Sequence, residues 1–398
     1  MTLNFKDFDA TAIRDVYAPI FQISEDCAVI SSKNSSGYSA GTLEYTQILN
    51  DTLLNSHCKI SIPYQKEGKT TTVAALIFFF DQYDKKIQGD YLHNDGENLY
   101  TLSPIPEGAV RFTLSLMFSC KGVGNAKFFS GSVELTHAPS HRIAHVATAF
   151  IDGKGNEEDN LEQVLALIDE VGKSGDKPDV ICFAEGVYDL RCKRKIYLSD
   201  DSPQVMAVCE RAKKNDIYVL FTTHEKDSRD YYYNSAFLIS NTGEICGRYR
   251  KCQLTQGEYL AGIVPGDDFP VFDTPFGKIG ILICWDQWFG EASHTLAAKG
   301  AEIIFWLTRG FHEERVITRA RDNGIYYVTA HPRPQNCCIV HPTTGNIIAR
   351  GNGSSAGFIS AKIDLDERPV SEYKSFGKNG ANDKEIFLNE RRSDLYFR

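Results

Sequence analysis

Along residues 1 to about 140, apolar and polar positions alternate with the two-residue period of strands buried on one face. Val110, Phe112, Leu114, Leu116 and Phe118 carry that pattern most regularly. Segments 58–64, 71–81, 109–119 and 126–136 are rich in β-branched and aromatic residues, and polar, glycine-bearing turns such as KEGK and KGVGN set them apart. A helical period shows only around residues 42–53. The pattern predicts an all-β sandwich, jelly-roll-like in form.

From His141 the period changes. RIAHVATAF and DVICFAE read as strands, and between them Leu161, Val164, Leu165 and Ile168 follow the i, i+3, i+4, i+7 spacing of an amphipathic helix. Val205, Val208, Cys209 and Ala212 mark a second helix, and IYVLFTT a third strand. A hairpin through Asn241, Thr242 and Gly243 joins SAFLIS to EICGRYRK. KIGILIC, EIIFWL and IYYVTA are strands separated by helices that close at Gly300 and Gly324, and CCIVHPTTGNIIAR forms a last hairpin. Such alternation predicts an α/β domain on a mixed sheet. The expected division is residues 1–140 and 141–398, with THAPS (136–140) as the linker.

Composition narrows the function classes. Hydrophobic residues make up 42% of the 398 and charged residues 24%, enough for a sizeable core. A net charge of −9 argues against a nucleic-acid backbone or an anionic membrane surface as partner, and says little about small substrates, since a local pocket can carry either sign. The N-terminus lacks a leader-like pattern, and no apolar run reaches the ~20 residues of a membrane helix, so a cytoplasmic protein is expected. The 11 cysteines are odd in number and lack metal-site spacing; reduced thiols, mostly buried, are expected, with no metal and no cofactor.

Three strand ends each deliver one unusual residue. Glu185 follows the buried strand DVICFA, where catalytic groups of α/β sheets gather. Its plain alternative is an N-cap or loop charge. Lys251 ends the hairpin strand GRYRK, where a solvated charge is the ordinary reading. Cys284 ends a fully apolar strand at a sharp turn into a helix, whose backbone N–H groups favour a thiolate. A core thiol is the alternative there, but the flanking WDQW is odd for plain core. Together the three supply a nucleophile, a base that returns its proton to a leaving amine, and a positive group for an oxyanion. None of the ten histidines sits in a comparable motif; His294 and His331 read as structural.

Over residues 141–398 the sequence resembles the nitrilase (carbon–nitrogen hydrolase) superfamily. FAEG around Glu185, YRKCQL around Lys251 and GILICWDQWFGE around Cys284 carry the resemblance, with PGDDFPVFDTPFGKIG, LAAKGAEII and RARDNGIYYV in matching order. It implies an αββα four-layer sandwich, here preceded by the β-sandwich. It also implies Glu185 as general base and acid, Lys251 as oxyanion stabiliser and Cys284 as the nucleophile that forms a thioester. Glu258 in QGEYL matches a second family glutamate that orients the lysine and the substrate amine. The Trp285 backbone N–H would complete the oxyanion hole, and Glu291 matches a supporting glutamate. Two features depart from the family: Gly290 stands where relatives usually carry proline, and TRGFHEERV (308–316) fits no substrate class although it should border the pocket.

CWDQWF is more similar to amidases and N-carbamoyl amide hydrolases than to true nitrilases, so a linear amide or ureido substrate with release of ammonia is expected. Acyl transfer to an amine from the same thioester, or an inactive ligand-binding protein, are the alternatives. The resemblance further implies a homodimer or larger oligomer. The RFTLSLMF and FFSGSVEL strands of the first domain are faintly similar to carbohydrate-binding jelly rolls; a packing or oligomer-contact role is the alternative.

Overall fold

A computed structural model describes residues 1–33, 35–49, 56–138, 140–353, 356–367, 369–371 and 374–391. The chain forms two units, Met1–Ser140 with Arg368–Arg398, and His141–Glu367. Pro139, in the expected linker, lies outside the described residues.

In the first unit, a five-stranded sheet runs in the order Asp9–Ala12, Tyr38–Ile48, Arg111–Lys121, Thr72–Phe80, Lys86–Tyr91. A seven-stranded sheet is built around Ser56–Glu67, which pairs antiparallel with Asn98–Pro104, Asn125–Phe129 and Ser132–His137. One core joins them: Phe112, Leu114, Leu116 and Phe118 meet Ile60, Ile62, Leu99 and Phe128. The helix expected around 42–53 is instead strand as far as Ile48, in register with Arg111–Lys121; residues 50–53 lie outside the described residues. Its β-rich YTQI segment finds an eleven-residue partner strand, and pairing overrides the weak helical spacing.

The second domain expected to run to residue 398 ends at Glu367. The reason is apolar. Phe376, Ala381 and Ile386 pack on Leu76, with Phe78, Tyr91, Met117 and Phe387 partly buried around them. The Phe376 ring lies 6.1 Å from Phe78 and 5.5 Å from Tyr91. Gly89 leaves room for it, since a Cβ there would sit 2.9 Å from Phe376 and 2.5 Å from Phe78. His93 Nδ1 and Glu385 Oε1, 3.1 Å apart, fasten the following helix, Asp383–Glu390.

The second unit has two sheets. The first runs Ile245–Arg250, Tyr232–Ile239, Tyr218–Lys226, Val180–Cys182, Ile143–Phe150, Gly357–Asp364. The second runs Val271–Thr274, Gly277–Ile283, Ile303–Leu307, Tyr326–Ala330, Cys338–Val340, Ile347–Arg350. Helices Glu157–Gly172 and Pro203–Asn215 cover the first sheet through Val164, Ile168, Val205, Val208 and Ala212. Helices Gly290–Ala298 and Glu313–Asn323 cover the second through Ala292, Leu296, Val316 and Ala320. Between the sheets lie Val146, Val180, Leu220, Ile281, Ile283, Phe305 and Val328. This is the αββα sandwich, with both sheets buried on both faces.

Parallel register sets the edge at which chemistry collects. Val180–Cys182 pairs parallel with Tyr218–Lys226, and Ile283, Leu307 and Ala330 are register partners across three parallel strands. Cys284, Thr308 and His331 therefore leave the second sheet side by side at its C-terminal edge.

Candidate active site

Past Cys182 the backbone still follows the sheet, with Phe183 N–H donating to the Leu220 carbonyl at 3.0 Å. Thr222 Oγ1 then accepts from Gly186 N–H at 2.8 Å and donates to the Ala184 carbonyl at 2.7 Å, pinning the backbone on both sides of Glu185. Arg309 grips the same turn: its Nε donates to the Glu185 carbonyl (2.9 Å) and its Nη2 to the Gly186 carbonyl (2.7 Å) and Asp189 Oδ1 (2.5 Å). Gly186 has φ +56°, and a Cβ there would stand 2.2 Å from Arg309 Nη2, so this turn requires glycine. Asp189 is buried and also faces His224 Nδ1 at 3.1 Å. Burial pushes its pKa up, but the bonds and charges of His224 and Arg309 bring it below the usual carboxylate range.

Lys251 follows the strand Ile245–Arg250, and its N–H donates to the Asn234 carbonyl at 2.9 Å. The side chain is 1% exposed. Its Nζ donates to Glu185 Oε1 at 3.1 Å and to both Glu258 oxygens at 2.9 Å. Asn234 Nδ2 bridges the two carboxylates, at 2.9 Å from Glu185 and 2.8 Å from Glu258. Glu258 is itself fixed by the turn that starts Gln256–Leu260: Thr255 N–H and Oγ1 both donate to its Oε2, and Glu258 N–H returns a bond to Thr255 Oγ1. Burial opposes charge on Lys251, yet the two carboxylates outweigh it and hold the ammonium well above the usual lysine value. Burial likewise raises Glu258, but Lys251, Asn234 and Thr255 bring it down to about 2.

Cys284 ends the strand Gly277–Ile283 with φ +45°, a left-handed conformation that non-glycine residues seldom adopt away from functional turns. Its carbonyl accepts from Trp306 Nε1 at 3.0 Å. The thiol pKa is raised, first by burial and then by the negative charge of Glu185; Lys251 and a hydrogen bond with Thr308 pull it down, and hydrogen bonding to Glu185 raises it again. The helix that was expected to favour a thiolate starts only at Gly290, beyond the short turn Cys284–Trp288.

Glu185, Lys251 and Glu258 thus form a buried cluster, and the partly buried Cys284 thiol joins it through Glu185. Trp285 stands at the elbow with its ring 4.9 Å from Trp288. Glu291 is exposed on the first turn of Gly290–Ala298, and no hydrogen bond or ion pair ties it to the cluster among the described residues. Among the described residues, no three His, Cys, Asp or Glu side chains are placed to hold a metal ion, and no helix is long and apolar enough to cross a membrane.

Several residues of the cluster escape a reading of the sequence. Asn234 is one. Another is Asp286, fully buried, which accepts from Tyr249 Oη (2.7 Å), Ile283 N–H (2.9 Å) and Gln253 N–H (2.8 Å). It ties the end of the lysine strand to the cysteine elbow, and burial pushes its pKa up to about 6 despite those bonds. The odd polarity of WDQW was its only signal. Thr308 and Arg309 come from TRGFHEERV, which does border the pocket.

Comparison with known proteins gives the same family. Residues 142–369 match the carbon-nitrogen hydrolase family model. A probable nitrilase of Schizosaccharomyces pombe is 28% identical over 260 residues, 60% of this chain and 92% of that one. An N-carbamoylputrescine amidase of Arabidopsis thaliana is 27% identical over 248 residues, 53% of this chain and 80% of that one. A carbon-nitrogen hydrolase from Helicobacter pylori G27 shares the fold, with a TM-score of 0.53 at 21% identity over 64% of this chain and 97% of that one. A chain matched over more than half its length, with this αββα architecture, belongs to the carbon-nitrogen hydrolase (nitrilase) superfamily and is a hydrolase of carbon–nitrogen bonds.

Proposed function

We propose that the protein hydrolyses a linear amide or N-carbamoyl amine through a thioester on Cys284, releasing ammonia. The observation that carries this is the placement of Lys251 Nζ between Glu185 (3.1 Å) and Glu258 (2.9 Å), with the Cys284 thiol in the field of both Glu185 and Lys251. Glu185 takes the thiol proton as sulfur attacks the carbonyl carbon. The oxyanion forms against the Lys251 ammonium and the Trp285 N–H. Glu185 then hands its proton to the departing amine, and the carbon–nitrogen bond breaks to leave a thioester and ammonia. Water, deprotonated by Glu185, attacks the thioester; the acid leaves and the proton returns to sulfur. Glu258, held near pH 2 in its titration, stays anionic throughout and keeps Lys251 charged and in place. Similarity to an N-carbamoylputrescine amidase supports amide or ureido substrates.

The test is ammonia release across simple amides, N-carbamoyl amines and nitriles, with Cys284→Ala as control. Turnover of amides or ureido compounds, falling by several orders of magnitude in the variant, is expected. Turnover in Cys284→Ala within tenfold of the unaltered protein would refute the reading.

A further inference from the structure

Glu185 leaves one sheet of the second unit and Cys284 the other, so the reach from base to thiol depends on what spans the two edges. Arg309 spans them. Its backbone stands two residues past Leu307, the register partner of Ile283, beside the cysteine elbow. There the Arg309 carbonyl accepts from His331 Nε2 at 2.9 Å, and His331 Nδ1 accepts from Arg333 N–H at 2.8 Å, which leaves the ring proton on Nε2. The side chain crosses to the first sheet, where its fork takes the Glu185 and Gly186 carbonyls.

The far side of the guanidinium rests on a fixed anchor. Asp189 is buried, and the carbonyls on either side of it, of Tyr188 and Leu190, both accept from Asn160 Nδ2, at 3.0 and 2.9 Å. Asn160 is itself fully buried on the helix Glu157–Gly172. One Asp189 oxygen takes Arg309 Nη2 at 2.5 Å and the other faces His224 Nδ1 at 3.1 Å. His224 is buried, and its ring lies 5.7 Å from that of Tyr197. Its register partner on the next strand is Asn234, the amide that bridges Glu185 and Glu258.

Ion pairs of this kind ordinarily serve the fold alone. Here the bonds end on the carbonyl of the base itself, and Gly186, at φ +56° and without a Cβ, adds little stiffness to that turn. Among the described residues, the side-chain bonds of Arg309 go to the Glu185 and Gly186 carbonyls and to Asp189, so it acts on the base through the backbone. A displacement of about 1 Å at a reacting group costs on the order of a hundredfold in rate, so a clamp on the Glu185 backbone reaches turnover through position.

We propose that Arg309, held in place by Asp189 and His224, is a positioning residue that sets the reach of Glu185 to the Cys284 thiol. This rests on the reading of Glu185 as the base of an amidase. Arg309→Ala should lower kcat about a hundredfold with KM within about threefold, and Arg309→Lys, which keeps the charge and loses the fork, should fall with it. Because the side chain is 40% exposed, millimolar guanidinium should enter the gap in Arg309→Ala and restore kcat about tenfold or more, while restoring nothing in Glu185→Gln. Asp189→Asn and His224→Gln should each cost about tenfold in kcat in the unaltered protein and almost nothing in Arg309→Ala, as expected of groups that act through one another. Alkylation of Cys284 by iodoacetamide gives a readout that needs no turnover. With Glu185 displaced, its pH profile should move to lower pH in Arg309→Ala and in Asp189→Asn, the direction expected of Glu185→Gln. Circular dichroism checks that each variant folds, and Asp189→Asn carries the test if Arg309→Ala does not. A kcat within threefold of the unaltered protein in Arg309→Lys and Asp189→Asn, no guanidinium rescue of a folded Arg309→Ala, or an alkylation profile that stays put would overturn the proposal while leaving amide hydrolysis standing. No amide turnover by the unaltered protein would overturn both.

Discussion

Lys251 is an ammonium with almost no contact with water, and it stays charged because Glu185 and Glu258 surround it. Removing it leaves two carboxylates buried together, so Lys251→Met should destabilise the second unit by about 3–5 kcal/mol in urea titration, besides abolishing turnover. Glu185 acts on Cys284 in the opposite sense to Lys251. Its charge and hydrogen bond raise the thiol pKa, so Glu185→Gln should lower that pKa. The pH profile for alkylation of Cys284 by iodoacetamide, read by peptide mass mapping, should then move to lower pH while amide turnover is lost. A profile that stays put or moves upward would contradict this geometry. Glu185, Lys251, Cys284 and Glu258 were legible in the sequence because each lies in a short, ordered motif beside a strand or turn. Asn234 was not: within YYYNSAF it reads as the polar face of a hairpin strand, and only the fold buries it between two carboxylates. Glu291, matched by motif alone, is exposed at the start of its helix, since a motif match fixes a position in the chain and leaves the side chain's contacts to packing.

Among elements, the site depends on a hairpin strand from one sheet meeting a strand-to-helix elbow from the other. Tyr249 and Asp286 make that junction: the tyrosine hydroxyl donates to the carboxylate at 2.7 Å and accepts from Cys252 N–H at 3.2 Å. Tyr249→Phe leaves both groups short of a partner in the core, at about 1–3 kcal/mol, and the protein should lose that much stability with kcat falling more than KM rises. Rescue of kcat by lowering temperature alone, with no change in the pH profile, would point to folding rather than positioning. Strands and helices of the second unit were legible because period and glycine caps agree, as at Gly300 (φ +93°) and Gly324 (φ +58°). The segment around 42–48 was not, since its partner strand is some seventy residues away in sequence, as with Leu43 opposite Leu116. Local spacing cannot register such pairing.

At the scale of the molecule, the chain forms two units and returns to the first after completing the second. The αββα unit, His141–Glu367, contains every residue of the proposed chemistry. Expressed alone, residues 141–367 should fold and release ammonia from a small amide; a folded but inactive fragment would mean that the first unit completes the site. The return segment was hidden from the sequence because its apolar residues, Phe376, Ala381 and Ile386, are too few for a core of their own. They find the outer face of a sheet already made. Phe376→Ala should cost the first unit about 3 kcal/mol or more in denaturant unfolding, with kcat/KM unaltered.

The covalent step at Cys284 is the centre of this mechanism. Its most direct test is rapid-quench mass spectrometry of the whole protein mixed with a slowly turned-over amide. The expected result is a transient adduct of the substrate's mass less ammonia, confined to the Cys284 peptide and absent from Cys284→Ala. Ammonia release with no adduct on Cys284 at any quench time, or an adduct on another residue, would contradict it.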